Sequence, residues 1–294
     1  MKSVWMLRSS AAIVVSFLST LHSSIAAKTP VNEDLYNTFV RYTRFSAAAY
    51  ASACPDPPGS AVVVQFVDNK STDTQAFLLR DDGTQEVILS FRGTSSIQDF
   101  ATDFNQNLVP YESPGVTCSG CMVHQGYLQQ WNSVAETVTA TIRNQPNNYS
   151  LIVTGHSMGA SLAVLAAASL KGQGFNLTSY TYGQPRTGDP AFADYIDTVL
   201  PQDVLFRITH SNDGVPQTIP TSAGYRHHKT EYWALDPPSA VNTFKCEGDE
   251  PADCNNSVKG VGLGTNGTGI NAAHLLYFGI SIGNPLNPGV TECI

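Results

Sequence analysis

A chain of 294 residues with 42% hydrophobic and only 14% charged residues has enough apolar material for a packed interior and too little charge for intrinsic disorder. A formal net charge of −8, with no run of Lys or Arg, excludes a nucleic-acid surface and leaves no electrostatic attraction to anionic membranes. The length suits one large domain, and neither an internal repeat nor a low-complexity linker divides it.

Lys2 and Arg8 precede the apolar stretch Ala11 to Leu18, and Ser24-Ile25-Ala26 is a small-x-small cleavage site. This reads as a signal peptide over 1–26, too short to span a bilayer, ahead of a soluble exported domain over 27–294. Leu35, Phe39, Tyr42 and Phe45 recur at helical spacing and predict a helix from Asn32 to Tyr50. Strands are expected over Ala61 to Val67, Gln75 to Leu79 and Glu86 to Phe91, with Asp81-Asp82-Gly83 as a turn. A second helix is expected from Gly126 to Asn144, then a buried strand from Ser150 to Thr154 and an Ala/Leu-rich helix from Ala160 to Leu170. Ser179 to Tyr182, Val204 to Thr209 and Thr230 to Ala234 read as strands, the first two separated by a helix from Ala191 to Val199. This alternation implies one α/β domain with a mainly parallel sheet and helices on both faces. Lys245 to Gly269, polar and rich in Gly and Asn, reads as a surface excursion pinned by a disulfide.

The cysteines are Cys54, Cys118, Cys121, Cys246, Cys254 and Cys293, and six allow about fifteen pairings. Nearness along the chain suggests Cys118–Cys121 and Cys246–Cys254, leaving Cys54 for Cys293. The alternative, a redox or zinc motif at Cys118-Ser119-Gly120-Cys121, lacks a second CxxC or a clustered His pair, and export favours structural bridges. Sequons at Asn69, Asn148, Asn176, Asn255 and Asn266 are glycosylation candidates.

Gly155-His156-Ser157-Met158-Gly159 lies between a strand and an Ala/Leu-rich helix, the setting in which G-x-S-x-G presents a nucleophilic serine at a helix N-terminus. The backbone N–H of Met158 and the helix dipole are placed there to stabilise an oxyanion. Serine needs a base oriented by a carboxylate, in the chain order Ser, Asp/Glu, His. Of the histidines after Ser157, His210 reads as packing or capping, and His227 and His228 as part of a solvated polar turn beside Arg226. His274, in Asn271-Ala272-Ala273-His274-Leu275-Leu276, has the right order in what reads as a loop-to-helix setting. Asp213 follows a strand end, whereas Asp189, Asp194, Asp197 and Asp203 read as solvated charges on or near a helical segment. Phe91-Arg92-Gly93-Thr94 supplies a second oxyanion donor in Thr94. No metal-ligand cluster or phosphate loop points to a metal or cofactor.

The stretches Ser90 to Thr94, Val123-His124-Gln125-Gly126-Tyr127, Thr154 to Ser161, Tyr182-Gly183-Gln184-Pro185-Arg186, Thr209 to Pro216, Glu231-Tyr232-Trp233 and Ala273 to Phe278 together resemble the fungal lipase (class 3) family, which includes the type A feruloyl esterases. The resemblance runs collinearly over almost the whole mature chain. It implies an α/β-hydrolase fold, a triad of Ser157, Asp213 and His274, and an oxyanion hole of Thr94 and Met158. It also favours the disulfide pairing above.

The resemblance further implies a lid after the oxyanion loop, over Ser95 to Asn105, where Ile97, Phe100 and Phe104 recur at helical intervals. The alternative for this stripe is a surface helix turned to the core. Gly159-Ala160-Ser161, Asn212-Asp213-Gly214-Val215 and Asp236 to Phe244 look like the feruloyl esterases, and Tyr127 matches an aromatic of their substrate pocket. Gln106 departs from the tyrosine they carry, and the apolar lid with Leu275-Leu276 resembles lipases. Lid and cleft touch substrate, so the expectation is a secreted monomeric lipase cleaving acylglycerols at a lipid–water interface, with feruloyl esterase as the alternative. Lid and cleft residues expected to contact substrate are Ile97, Phe100, Phe104, Tyr127, Val215 and Leu275.

Overall fold

The structure is a computed structural model and describes Met1, residues 28–94, 106–263, 267–284 and Cys293. In chain order its elements are β1 (Thr29–Pro30), α1 (Glu33–Ala48), β2 (Val62–Asn69), β3 (Thr74–Asp81), β4 (Glu86–Phe91), β5 (Leu108–Pro110), β6 (Met122–His124), α2 (Gln125–Asn132) and α3 (Ala135–Arg143). They continue as β7 (Ser150–His156), α4 (Met158–Gly172), β8 (Leu177–Tyr182), α5 (Pro190–Val199), β9 (Leu205–His210), β10 (Glu231–Ala234), β11 (Thr243–Cys246), β12 (Leu276–Tyr277) and β13 (Ile280–Ser281).

The period-two pattern of the central strands divides the interior in two. Leu78, Val87, Leu89, Phe91, Leu151 and Val153 point to one face and pack with α2, α3, α4 and α5. Their alternates Phe77, Leu79, Ile88 and Ile152 point to the other and pack with Phe39, Tyr42 and Phe45 of α1. Strands run in the order β1-β11-β10-β9-β8-β7-β4-β3-β2. The central β10-β9-β8-β7-β4 are parallel and the flanking strands antiparallel. This is the expected α/β-hydrolase fold, with helices on both faces unevenly shared.

Local chemistry sets the element ends. Asn32 caps α1 by accepting from Leu35 N–H, and Glu33 and Asp34 lie at the positive end of its dipole. The single helix expected from Gly126 to Asn144 is instead two. Ser133 Oγ donates to the Gln130 carbonyl at 2.7 Å and bonds Thr72 at 2.9 Å, so its hydroxyl competes with the helix ladder and α2 ends there. α4 is buried at every position from Met158 to Leu170, the central helix its composition indicates. All three disulfides pair as expected: Cys54–Cys293, Cys118–Cys121 and Cys246–Cys254.

The segment read as a surface excursion from Lys245 to Gly269 is more than that. It begins inside β11, which pairs with both β10 and β1. Cys246, Cys254 and Asn255 are buried, and Asn255 Nδ2 donates to the carbonyls of Asp213 (3.0 Å) and Ser211 (3.3 Å). With its amide committed inside the fold, Asn255 leaves the set of glycosylation candidates. Asn148 and Asn176 are exposed, Asn69 is half-buried, and Asn266 lies outside the described residues.

His227 and His228 are not solvated but 3% and 1% exposed. The stretch folds back under the sheet: Arg186 pairs bidentately with Glu250 at 2.7 and 2.6 Å, Glu250 accepts from His227 N–H, and His228 meets Gln184 at 3.0 Å. Of the aspartates, Asp189 caps α5 and Asp197 accepts from Lys229 N–H, so neither is a free solvated charge.

Burial holds several histidines neutral. The imidazole of His124 is pushed down to about 4 and that of His228 to about 3, chiefly by desolvation, and His156 and His227 are also well depressed. A depressed folded value means that the unfolded chain binds protons first, so this stability is complete above about pH 6.5 and is lost as pH falls toward the folded values. Thermal midpoints should stay flat from pH 8 to 6.5 and drop between pH 6.5 and 5, above the carboxylate range. His228→Gln should make that slope shallower, by about 1.4 kcal/mol per pH unit. A flat profile down to pH 5 would contradict this account.

Candidate active site

The turn from β7 into α4 holds Ser157 at φ 60°, ψ −131°, a backbone that a residue with a side chain adopts only when its surroundings impose it. Glycines impose it here. A Cβ on Gly155 would lie 2.3 Å from the Gly159 carbonyl oxygen, and one on Gly159 would lie 2.5 Å from that of Phe91. The two glycines of the motif therefore let β7, β4 and the first turn of α4 meet backbone to backbone. Ser157 N–H donates to Tyr182 O at 2.9 Å, which fastens the turn to β8.

Met158 opens α4, so its N–H belongs to the donors that a helix start leaves unsatisfied. Thr94 stands beside it, its hydroxyl donating to Met158 Sδ at 3.6 Å. The two expected oxyanion donors are thus brought together. The loop that carries Thr94 is drawn tight at Gly93, where a Cβ would come 3.0 Å from Ser157 Cβ and 2.2 Å from Tyr50 Oη.

Asp213 follows β9 and has no exposed surface. Its Oδ1 accepts from Val215 N–H at 2.9 Å, its Oδ2 from the Tyr277 hydroxyl at 2.5 Å, and both oxygens lie 3.0 Å from His274 Nδ1. An ionised carboxylate accepts only, so Nδ1 carries the proton and His274 Nε2 is the nitrogen left to receive one. Burial, and then the charge of Asp213, raise the Tyr277 hydroxyl well above its ordinary range and keep it a donor.

The loop bearing His274 is pinned from several sides. His274 N–H meets the Asn271 side chain at 3.1 Å, and Asn271 Nδ2 donates to Asn212 O at 2.7 Å. His210 Nδ1 donates to Ala273 O at 2.9 Å and its ring packs against Tyr277, so it holds the turn rather than capping a helix. His156 Nε2 lies 2.9 Å from His274 O, which can only accept. Nδ1 of the neutral His156 ring is then an acceptor for the Tyr50 hydroxyl at 2.8 Å. The rings of His156 and His274 lie 4.3 Å apart. His274 leads into the short hairpin β12–β13 rather than a helix, a correction to the expected setting.

The remaining expected residues divide. Tyr127 is buried and stacks on His124 at 3.9 Å. Val215 is fully buried, so its side chain presents no surface to substrate here, and its contribution is the N–H to Asp213. Leu275 is half-buried beside His274. Ile97, Phe100 and Phe104 lie outside the described residues. Sequence reasoning missed Tyr277, Tyr50 and the part played by His156, although His156 occupies the first variable position of the motif. It also missed Gly183, at φ +57°, where a Cβ would come 2.7 Å from Asp213 Oδ2 and 2.9 Å from His274 Nδ1. Among the described residues, the one acidic cluster with metal-like spacing is Asp194, Asp197 and Asp249, and Arg226 and Lys229 already pair with its carboxylates.

Residues 88–223 match the family model described as Lipase (class 3). The chain is 34% identical over 278 residues to secreted mono- and diacylglycerol lipase 1 of Fusarium solani, covering 86% of this chain and 78% of that one. It superposes on lipase II from Rhizopus niveus with a TM-score of 0.75 at 28% identity, covering 88% of this chain and all of that one (100%). It superposes equally on a triacylglycerol lipase whose catalytic centre is formed by a serine protease triad, with a TM-score of 0.74 at 30% identity, covering 87% and 99% of the two chains.

Gly183→Ala should force the Asp213–His274 pair apart and strain the turn. A fall in kcat of about a hundredfold or more on a soluble short-chain ester is expected, with little change in KM. Activity near wild type would show that the pair tolerates a different separation.

Proposed function

The chain belongs to the lipase (class 3) family and is a carboxylic-ester hydrolase of the lipase type, and on that premise we propose that Ser157, Asp213 and His274 carry out a two-step acyl transfer on acylglycerols. His274 Nε2 takes the Ser157 hydroxyl proton as Oγ attacks the ester carbonyl. Asp213 holds the imidazole in orientation and stabilises its positive form. The N–H groups of Met158 and Thr94 receive the oxyanion. The tetrahedral intermediate collapses with the proton passing from His274 to the leaving alcohol. Water, deprotonated by His274, then releases the fatty acid from the serine. The observation that carries this reading is the buried Asp213–His274 pair at 3.0 Å, with Asp213 at the same carboxyl end of the parallel strands as the strained Ser157 turn.

The secreted relatives, the three disulfides and the leader-like residues 1–26 support export of the domain over 27–294. Work at a lipid–water interface draws support from the apolar spacing of Ile97, Phe100 and Phe104. The exposed Val261 (60%), Leu263 (56%) and Leu276 (38%) add to it, and Leu276 stands two positions after His274. With a net charge of −8, apolar contact has to supply that adhesion.

Ser157→Ala should abolish turnover of emulsified triacylglycerol and of a soluble ester while leaving the melting temperature within a few degrees of wild type. Wild-type hydrolysis by this variant would refute the assignment. The unmodified enzyme should show a rate on tributyrin that climbs once the ester exceeds its solubility limit; a rate that follows only dissolved monomer would rule out interfacial work.

A further inference from the structure

The acid and the base of the triad stand on separate loops, 61 positions apart, and a small displacement of either costs rate. His210 makes a bond to each loop. Its own carbonyl accepts from Asp213 N–H at 2.8 Å, closing the turn after β9 across Ser211, which stands at φ +43°. Its side chain crosses to the other loop, where Nδ1 donates to Ala273 O at 2.9 Å, the carbonyl of the peptide that leads into His274. One residue thus fixes the backbone three positions before the acid and one position before the base.

The bond to Ala273 differs in kind from the others that meet here. His274 gains and loses a proton in each turnover of the mechanism above, so its pairing with Asp213 changes strength through the cycle. A neutral carbonyl held by an N–H does not change with it. A second cross-link between the loops, from Asn271 Nδ2 to Asn212 O at 2.7 Å, lies in an exposed setting where water competes. His210 is 3% exposed, and its ring centroid lies 5.5 Å from that of Tyr277, whose hydroxyl holds Asp213. In such an interior a hydrogen bond is stronger, and a carbonyl that loses its donor is costly. On its other side the ring meets Asp236, with Nε2 3.4 Å from Oδ2. That carboxylate is 60% exposed, so solvent screens the contact and it adds little to the hold on the loops.

We propose that His210 is a positioning residue of this hydrolase: its Nδ1–H ties the acid loop to the base loop and keeps His274 in place against Asp213 and Ser157 through the catalytic cycle. It acts through the Ala273 carbonyl and not on the reacting atoms. The proposal rests on the ester-hydrolase reading of Ser157.

The test uses substitutions that keep, move or remove the donor. Asn sets an amide N–H near the position of Nδ1, Gln sets one near that of Nε2, and Phe keeps a ring against Tyr277 with no donor. kcat and KM are measured on soluble p-nitrophenyl butyrate for wild type, His210→Asn, His210→Gln, His210→Phe and Asp236→Asn. Rates are taken per mole of Ser157 titrated by a phosphonate, so unfolded protein is not counted. His210→Phe and His210→Gln should lower kcat about tenfold or more with KM within about twofold, and His210→Asn should recover most of that loss. Asp236→Asn should stay within about twofold of wild type. Should His210→Phe fail to fold, His210→Gln against His210→Asn carries the same comparison. Equal kcat in the Asn and Gln variants, or a loss in Asp236→Asn as large as that in His210→Gln, overturns the tether while leaving the ester hydrolase standing. No turnover of the ester by wild type overturns both.

Discussion

A carboxylate with no exposed surface persists in a protein interior only if donors surround it, and Asp213 collects its donors from separate parts of the chain. Val215 N–H comes from its own loop, while His274 and Tyr277 arrive from the hairpin region more than sixty positions later. Space for that meeting is kept by Gly183, whose missing side chain would otherwise sit between the carboxylate and the imidazole. Below, Asn255 fastens the Asp213 loop through its carbonyl and also donates its N–H to Glu231, which takes a bond from Thr209. The end of the sheet, the segment held by Cys246–Cys254 and the histidine loop are thus organised around one buried negative charge.

Much of this was legible in the sequence because it obeys short-range rules. Unbroken apolar runs in β3, β4 and β7 mark strands buried on both sides, and the Ala/Leu run of α4 marks a helix surrounded by protein. The serine turn announced itself through its two glycines. Asp213 and His274 needed chain order and family resemblance, since an aspartate in a turn and a histidine before leucines are common.

What was not legible depends on contacts distant in sequence. His227 and His228 sit between Arg226 and Lys229, and only the return of the segment carrying Glu250 and the approach of Gln184 turn that polar stretch inward. β11 is four residues long and takes its place by pairing on both sides, not by a periodic pattern of its own. The break at Ser133 involves neither glycine nor proline and follows from a hydroxyl finding Gln130 O and Thr72. Tyr277 was visible as part of an apolar run, but its hydroxyl acquires meaning only when Asp213 is set opposite it.

Tyr50 lies just past α1, where its ring also packs against Gly283 and its hydroxyl reaches His156. Four residues on, Cys54 is joined to Cys293, a partner 239 positions away. During synthesis this bond has no partner available until every strand of the sheet has emerged. The N-terminal helix must therefore find its place on the nascent sheet by packing alone, with oxidation sealing an arrangement already reached. The bridge is thus a record of completed assembly, and a chain interrupted before Cys293 would leave the secretory machinery with an unpaired thiol as the visible sign of an unfinished molecule.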